Sequence, residues 1–123
     1  GCANKQLSQT KVADTEAAMR SAEEIGAASE PQASLHLRYA QDQLKHARKL
    51  MDDGDEKEAR RMLDRAQADA QLALALARTE RDRAQAKAAW AEVDELRQQS
   101  APEPGDQGNR IEPLEGADKE NGR

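Results

Sequence analysis

The chain has no phenylalanine, and only one tryptophan (Trp90), one tyrosine (Tyr39) and one cysteine (Cys2) among its 123 residues. Aromatic and branched side chains supply much of the buried area of an ordinary core, so their scarcity excludes a thick globular interior. A single cysteine excludes an internal disulfide and leaves no thiolate set for a structural metal. Long apolar runs are missing too. The longest, residues 72–77, is six residues, against the roughly 18–20 that a bilayer span needs. Nor is there an excess of positive charge. Asp and Glu number 24 against 19 Lys and Arg, a net charge of −5, which lacks the basic footprint that carries affinity for nucleic acid.

What the chain does have is alanine, 24 residues of it, on a background that is 35% charged. That composition fits a thin helical assembly lined by Ala and Leu.

The spacing of apolar residues predicts three helices. In the first, residues 12–25, Val12, Ala18, Met19, Ala22 and Ile25 recur at helical intervals. Asp14 or Thr15 serves as its cap and Gly26 as the residue after its end. Residues 26–31 read as a loop, because Pro31 lacks an amide donor and restrains Glu30 away from the helix. The second helix, residues 34–51, starts at Ser34 or Gln32. It carries Leu37, Ala40, Leu44, Ala47 and Met51 in alternating steps of three and four, one stripe of a helix. Asp52-Asp53-Gly54-Asp55 then forms a tight turn with Asp55 capping the next helix.

The third helix, residues 56–98, is long, roughly 64 Å at 1.5 Å per residue. Ala59, Leu63, Ala66, Ala70, Ala73 and Ala77 form its seam, and Met62, Leu72, Leu74 and Leu76 widen it enough to touch two neighbours. Residues 78–83 contain nothing apolar, after which a shifted stripe of Ala86, Ala89, Val93 and Leu96 resumes beside Trp90. Helix propensity and i,i+4 pairs such as Glu56–Arg60 support these segments. Residues 99–123 hold three of the four prolines and four of the seven glycines, and are expected to be disordered.

The expected fold is therefore all-α: an antiparallel three-helix bundle in which residues 12–25 pack across the hairpin of 34–51 and 56–77, with 78–98 projecting. The alternative is an extended helical hairpin with a broken first arm, the first helix running alongside 84–98. The breadth of the stripe at 72–77 favours the bundle.

Little in the sequence points to catalysis. His36 and His46 are ten residues apart, not the four that put two ligands on one helix face. Asp52, Asp53, Asp55 and Glu56 lack the alternating ligands of a calcium loop and read as a turn and cap. No glycine-rich phosphate loop and no nucleophile with a base at a recognisable spacing is present. The expectation is a non-enzyme without metal, cofactor, small-molecule substrate or nucleic-acid partner. Trp90, with Ala86, Ala89, Val93 and Leu96, is the candidate interface, because a large aromatic on a mostly alanine helix can anchor a partner; the alternative is that Trp90 packs over a bundle end. That partner is an envelope protein or a second copy of the chain.

Two resemblances sharpen this. Gly1-Cys2-Ala3-Asn4-Lys5, followed by small polar residues up to Thr10, resembles the processed end of a bacterial lipoprotein. That likeness implies that Cys2 carries the lipid, that residues 1–11 are an anchor leader, and that Gly1 is the last residue of a signal. An Asp after the lipidated cysteine favours the inner membrane in that family, so Ala3 implies the periplasmic face of the outer membrane. Several acyl chains would anchor firmly, each buried methylene contributing roughly 0.8 kcal/mol.

The second resemblance spans about residues 17–79. Leu37-Arg38-Tyr39-Ala40, Leu44, Ala47-Arg48, the turn Asp53-Gly54-Asp55, Glu58-Ala59-Arg60-Arg61 and the alanines Ala66, Ala70, Ala73, Ala75 and Ala77 resemble a bacterial family of Ala-rich helical domains of unknown function. Such domains occur on short lipoproteins and ahead of OmpA-like domains. The stretch also looks like a single tetratricopeptide-type hairpin, but its third helix is too long and the aromatic positions of that repeat are missing. Together the residues and resemblances imply a non-catalytic, lipid-anchored periplasmic helical protein, structural or adaptor in role; the alternative is a soluble helical interaction module with no anchor.

Overall fold

A computed structural model describes residues 2–101. Three α-helices account for nearly all of them: α1 (Cys2–Ile25), α2 (Pro31–Asp52) and α3 (Glu56–Gln99), with a short 3-10 turn, Ala27–Ser29, between α1 and α2. The expected tail at 99–123 falls almost wholly outside the described residues.

The helices form an antiparallel three-helix bundle. Glu16 on α1 pairs with Arg48 on α2, and Gln41 donates to Glu23 at 3.4 Å, so α1 and α2 run in opposite directions. Lys11 of α1 pairs with Asp64 of α3, while Ala22 clusters with Ala73 and Ala77, so α1 and α3 run in the same direction. The extended hairpin is therefore not adopted.

The seams follow a heptad rhythm. Ala33, Leu37, Ala40, Leu44 and Ala47 on α2, and Ala59, Leu63, Ala66, Ala70, Ala73 and Ala77 on α3, are buried in steps of three and four. All but Leu37, Leu44 and Leu63 of the buried apolar residues are alanine. Alanine lets helix axes approach toward the short end of the usual 8–10 Å or so. It also removes little apolar area from water, at about 25 cal/mol per Å². Of the residues expected to widen the α3 seam, Leu74, Leu76 and Met62 are partly buried against the core. Leu72 instead remains 42% exposed, because it falls at an outer position of the heptad, whereas Leu74, Leu76 and Met62 flank the seam.

Helix boundaries differ from expectation at two places. First, α1 starts at Cys2 rather than near residue 12. Residues 3–11 contain neither Gly nor Pro, and Ser8, Thr15 and Ala22 are buried at seven-residue intervals. The inward face of the first two turns is small and polar, so it carries no hydrophobic signal. Thr15 does not cap the helix: its hydroxyl donates back to the Lys11 carbonyl at 2.7 Å, and Asp14 is exposed in mid-helix.

Second, α2 starts at Pro31, not Ser34. Glu30 is the N-cap: its carboxylate accepts from the amides of Gln32, at 3.1 Å, and Ala33. Pro31 then takes the first helical position, where its missing amide hydrogen is no loss. Gly26 follows α1 with φ +107, and Gly54 follows α2 with φ +83. At the second junction Asp55 N–H donates to Leu50 O at 2.9 Å and Gly54 N–H to Met51 O at 3.1 Å. This is a Schellman close, which satisfies carbonyls that a helix end leaves free. The Asp55 carboxylate accepts from the Glu58 amide at 3.3 Å, the capping role its position predicts.

The chain divides between Lys87 and Ala88 into two units. The first holds the bundle. The described part of the second, residues 88–101, consists of the last turns of α3 and the two residues after it.

Candidate functional site

Burial along α3 stops at Ala77, and every residue from Arg78 to Ala101 is exposed. The helices that cover it run out there: α1 ends at Ile25, α2 begins at Pro31, and their shared cluster with α3 stops at Ala77. Continued in steps of three and four, the seam positions after Ala77 fall on Glu80, Ala84, Lys87, Ala91 and Asp94, which cannot extend an apolar core. The shifted stripe lies on a different face. There Trp90 is 64% exposed, Leu96 55% and Val93 39%, and Ala86 and Ala89 are exposed beside them. Exposed apolar residues scattered singly need no explanation; here Trp90, Val93 and Leu96 lie within two turns of one helix.

The flanks of that stripe are charged unevenly. Arg81 pairs with Asp82 at 3.3 Å and Arg83 with Glu80 at 3.6 Å. Among the described residues Arg78, Lys87, Glu92, Asp94, Glu95 and Arg97 make no ion pair within 4.0 Å.

Cys2 is an exposed, free thiol on the first turn of α1. Asn4, two residues on, lines a shallow groove of about 380 Å³ with Glu56, Lys57, Arg60, Arg61 and Asp64 of α3. Cys2 therefore stands at the end of the bundle that also holds the α2–α3 turn. Within the groove, Glu56 Oε2 and Arg60 Nε are buried and without a partner. The i,i+4 pair expected between them does not form, and Arg61 pairs with Glu58 instead, at 3.0 Å.

The two histidines differ. His46 is exposed. His36 is not a surface residue: its Nδ1 lies 2.8 Å from Asp69 Oδ1, joining α2 to α3. The Tyr39 ring meets its imidazole edge-on, with centroids 5.8 Å apart. Sequence spacing alone did not reveal this pair, whose members are 33 positions apart. No helix among the described residues is long and apolar enough to cross a membrane.

Residues 10–89, from the middle of α1 into the last third of α3, match the family described as Domain of unknown function (DUF4398). The chain belongs to this family. The DUF4398 stretch takes in the packed seam except Ser8 and ends one residue before Trp90; Cys2, Val93 and Leu96 also lie outside it. No curated protein and no solved structure matches the chain.

Proposed function

We propose that this DUF4398 protein is a non-catalytic, lipid-anchored helical protein of the periplasmic face of a bacterial outer membrane, with a structural or adaptor role. The observation that carries the reading is the position of Cys2. Its thiol is exposed on the first turn of a bundle helix, at the end opposite to the one where α3 loses its last buried contact at Ala77. Acyl chains on such a residue would hold one end of the bundle at a membrane without disturbing the seam. The contiguous exposed stripe at Trp90, Val93 and Leu96 supplies what a structural or adaptor protein needs, a surface for another chain.

The test is the intact mass of the protein made with its upstream coding sequence in a Gram-negative host and extracted from membranes. The expected result is a mass raised by acyl chains, and a loss of that increase and of membrane association in Cys2→Ser. An unmodified, freely soluble chain would discard the anchor. What would remain is a soluble interaction module acting through the same stripe.

A further inference from the structure

We infer that the first two turns of α1, residues 2–9, form a releasable strap, which opens as one unit from the end of the bundle while the rest of α1 stays packed. The opening is a property of this chain alone. Its use, lengthening the tether between Cys2 and the bundle, rests on the anchor proposed above.

Three observations locate the release. The first is how little holds the strap down. Between Cys2 and Gln9 only Ser8 is buried, and Leu7 is 45% exposed. Apolar packing begins at Val12, which lies against the cluster of Leu44, Ala47, Leu63 and Ala66. Burial of apolar surface is the main force that keeps a helix on a bundle, and a helix as short as the strap does not hold itself together in water.

The second is where partnerless polar atoms gather. Ser8 Oγ, Glu56 Oε2 and Arg60 Nε are buried without a hydrogen-bond partner. Ser8 is on the inward face of the strap, and Asn4 of the strap shares a groove with Glu56 and Arg60 on the first turns of α3. Each of these atoms costs the closed state a hydrogen bond that water supplies once the strap lifts. This end of the bundle is therefore frustrated, with local choices that disagree with the packed state.

The third is a second helix start within α1. The present first turn carries Lys5 and no acid, the sign that a helix dipole disfavours at its N-terminal end. The Thr10 hydroxyl now donates to the Gln6 carbonyl at 3.0 Å. When residues 2–9 lift away that bond is lost, and Thr10 takes the N-cap position, where its hydroxyl accepts from the amide of Val12 or Ala13. Asp14 then stands in the first turn, with the sign that the dipole favours. Lys11, paired with Asp64 of α3, holds the new start in place. Residues 2–9 span about 12 Å as a helix and up to about 29 Å when extended, so release lets Cys2 move roughly 15 Å farther from the bundle.

Native-state hydrogen exchange of the full chain made without lipid, resolved by residue over a range of low urea concentrations, tests this. The amides of residues 6–11 lose their helical acceptors on release, whereas those of 16–22 keep theirs. One shared protection across 6–11 is expected, about tenfold or more below that of 16–22. It should be nearly indifferent to urea, because so short an opening exposes little surface. Ser8→Ala removes a partnerless atom from the closed state and should slow exchange of the strap about fivefold. Thr10→Ala removes the cap of the open state and should slow it about threefold.

Protection that climbs step by step from residue 6 to residue 11 would be ordinary fraying and would overturn the strap. So would protection at 6–11 that equals that of 16–22 and shares its urea dependence, or no protection at 6–11 at all. Failure on any of these counts leaves acylation of Cys2 untouched. A chain that releases the strap but is not acylated in its host would overturn the tether use alone.

Discussion

His36 on α2 donates through Nδ1 to Asp69 on α3, across 2.8 Å and with only 24% and 21% of the two side chains exposed. The direction follows from chemistry, since a carboxylate can only accept. Among the described side chains it is the one hydrogen bond that ties α2 to α3, next to Leu37 and Ala70 of the two seams. Asp69→Ala or His36→Ala should each cost about 1 kcal/mol, the net worth of a hydrogen bond. In a domain of this size that lowers the melting temperature by roughly 4–8 °C. The double variant should lose less than the sum of the two. Strictly additive losses in thermal melts of the four proteins would show that the pair contributes no coupling.

Leu63 is the largest side chain that is fully buried. Its cluster contains Leu44, Ala47 and Ala66, with Val12, Met19, Met51 and Met62 packed around it. Alanine neighbours on rigid helices cannot move in to fill a space left behind, so Leu63→Ala should cost about 3 kcal/mol or more. Leu72→Ala, at a position 42% exposed, should change stability by no more than about 0.5 kcal/mol. Urea unfolding midpoints separate the two. Equal losses would mean that α3 packs through a different face.

The seams of α2 and α3 were legible in the sequence because hydrophobic periodicity and helical packing report the same positions there. From Leu37 to Ala47 and Ala59 to Ala77, each buried residue is an Ala or Leu on the predicted stripe. The first turns of α1 were not legible. Ser8 and Thr15 occupy seam positions with hydroxyl side chains, so the packing demanded there is small size, to which a hydrophobic pattern is blind. The start of α2 was missed because Glu30 caps it with a long carboxylate, ahead of a proline that reads as a breaker. Trp90, Val93 and Leu96 could be picked out because their stripe is shifted off the seam, and the structure leaves them exposed. Complementarity between one chain and another is not encoded in a single chain's periodicity.

Gly54 closes α2 with φ +83, and a Cβ placed there would meet nothing within 4 Å. Any substitution is therefore penalised by backbone conformation alone. Gly54→Ala should cost about 1 kcal/mol, the usual penalty for an L-residue in the left-handed region. Gly54→Asn should cost less, since Asn tolerates that region through local hydrogen bonding. If the two variants melt alike, the loss comes from somewhere other than the left-handed turn.

Ser8 is wholly buried, and its hydroxyl has no hydrogen-bond partner. A buried donor without an acceptor destabilises the fold by about 1–3 kcal/mol relative to a state in which water satisfies it. Removing the hydroxyl removes that penalty and leaves the close approach of the helices intact, because alanine is smaller than serine. Alanine also has the better helix propensity. Ser8→Ala should therefore raise stability by about 1 kcal/mol, read as a higher urea midpoint with an unchanged slope. Ser8→Leu, which forces a large side chain between axes spaced for small ones, should lower it by roughly 1–3 kcal/mol. The pair also tests where α1 begins. Were residues 1–11 an unpacked leader, neither substitution would move the midpoint, and deleting residues 2–8 would leave it unchanged as well. With Ser8 in the seam, the deletion should lower the midpoint and Ser8→Ala should raise it.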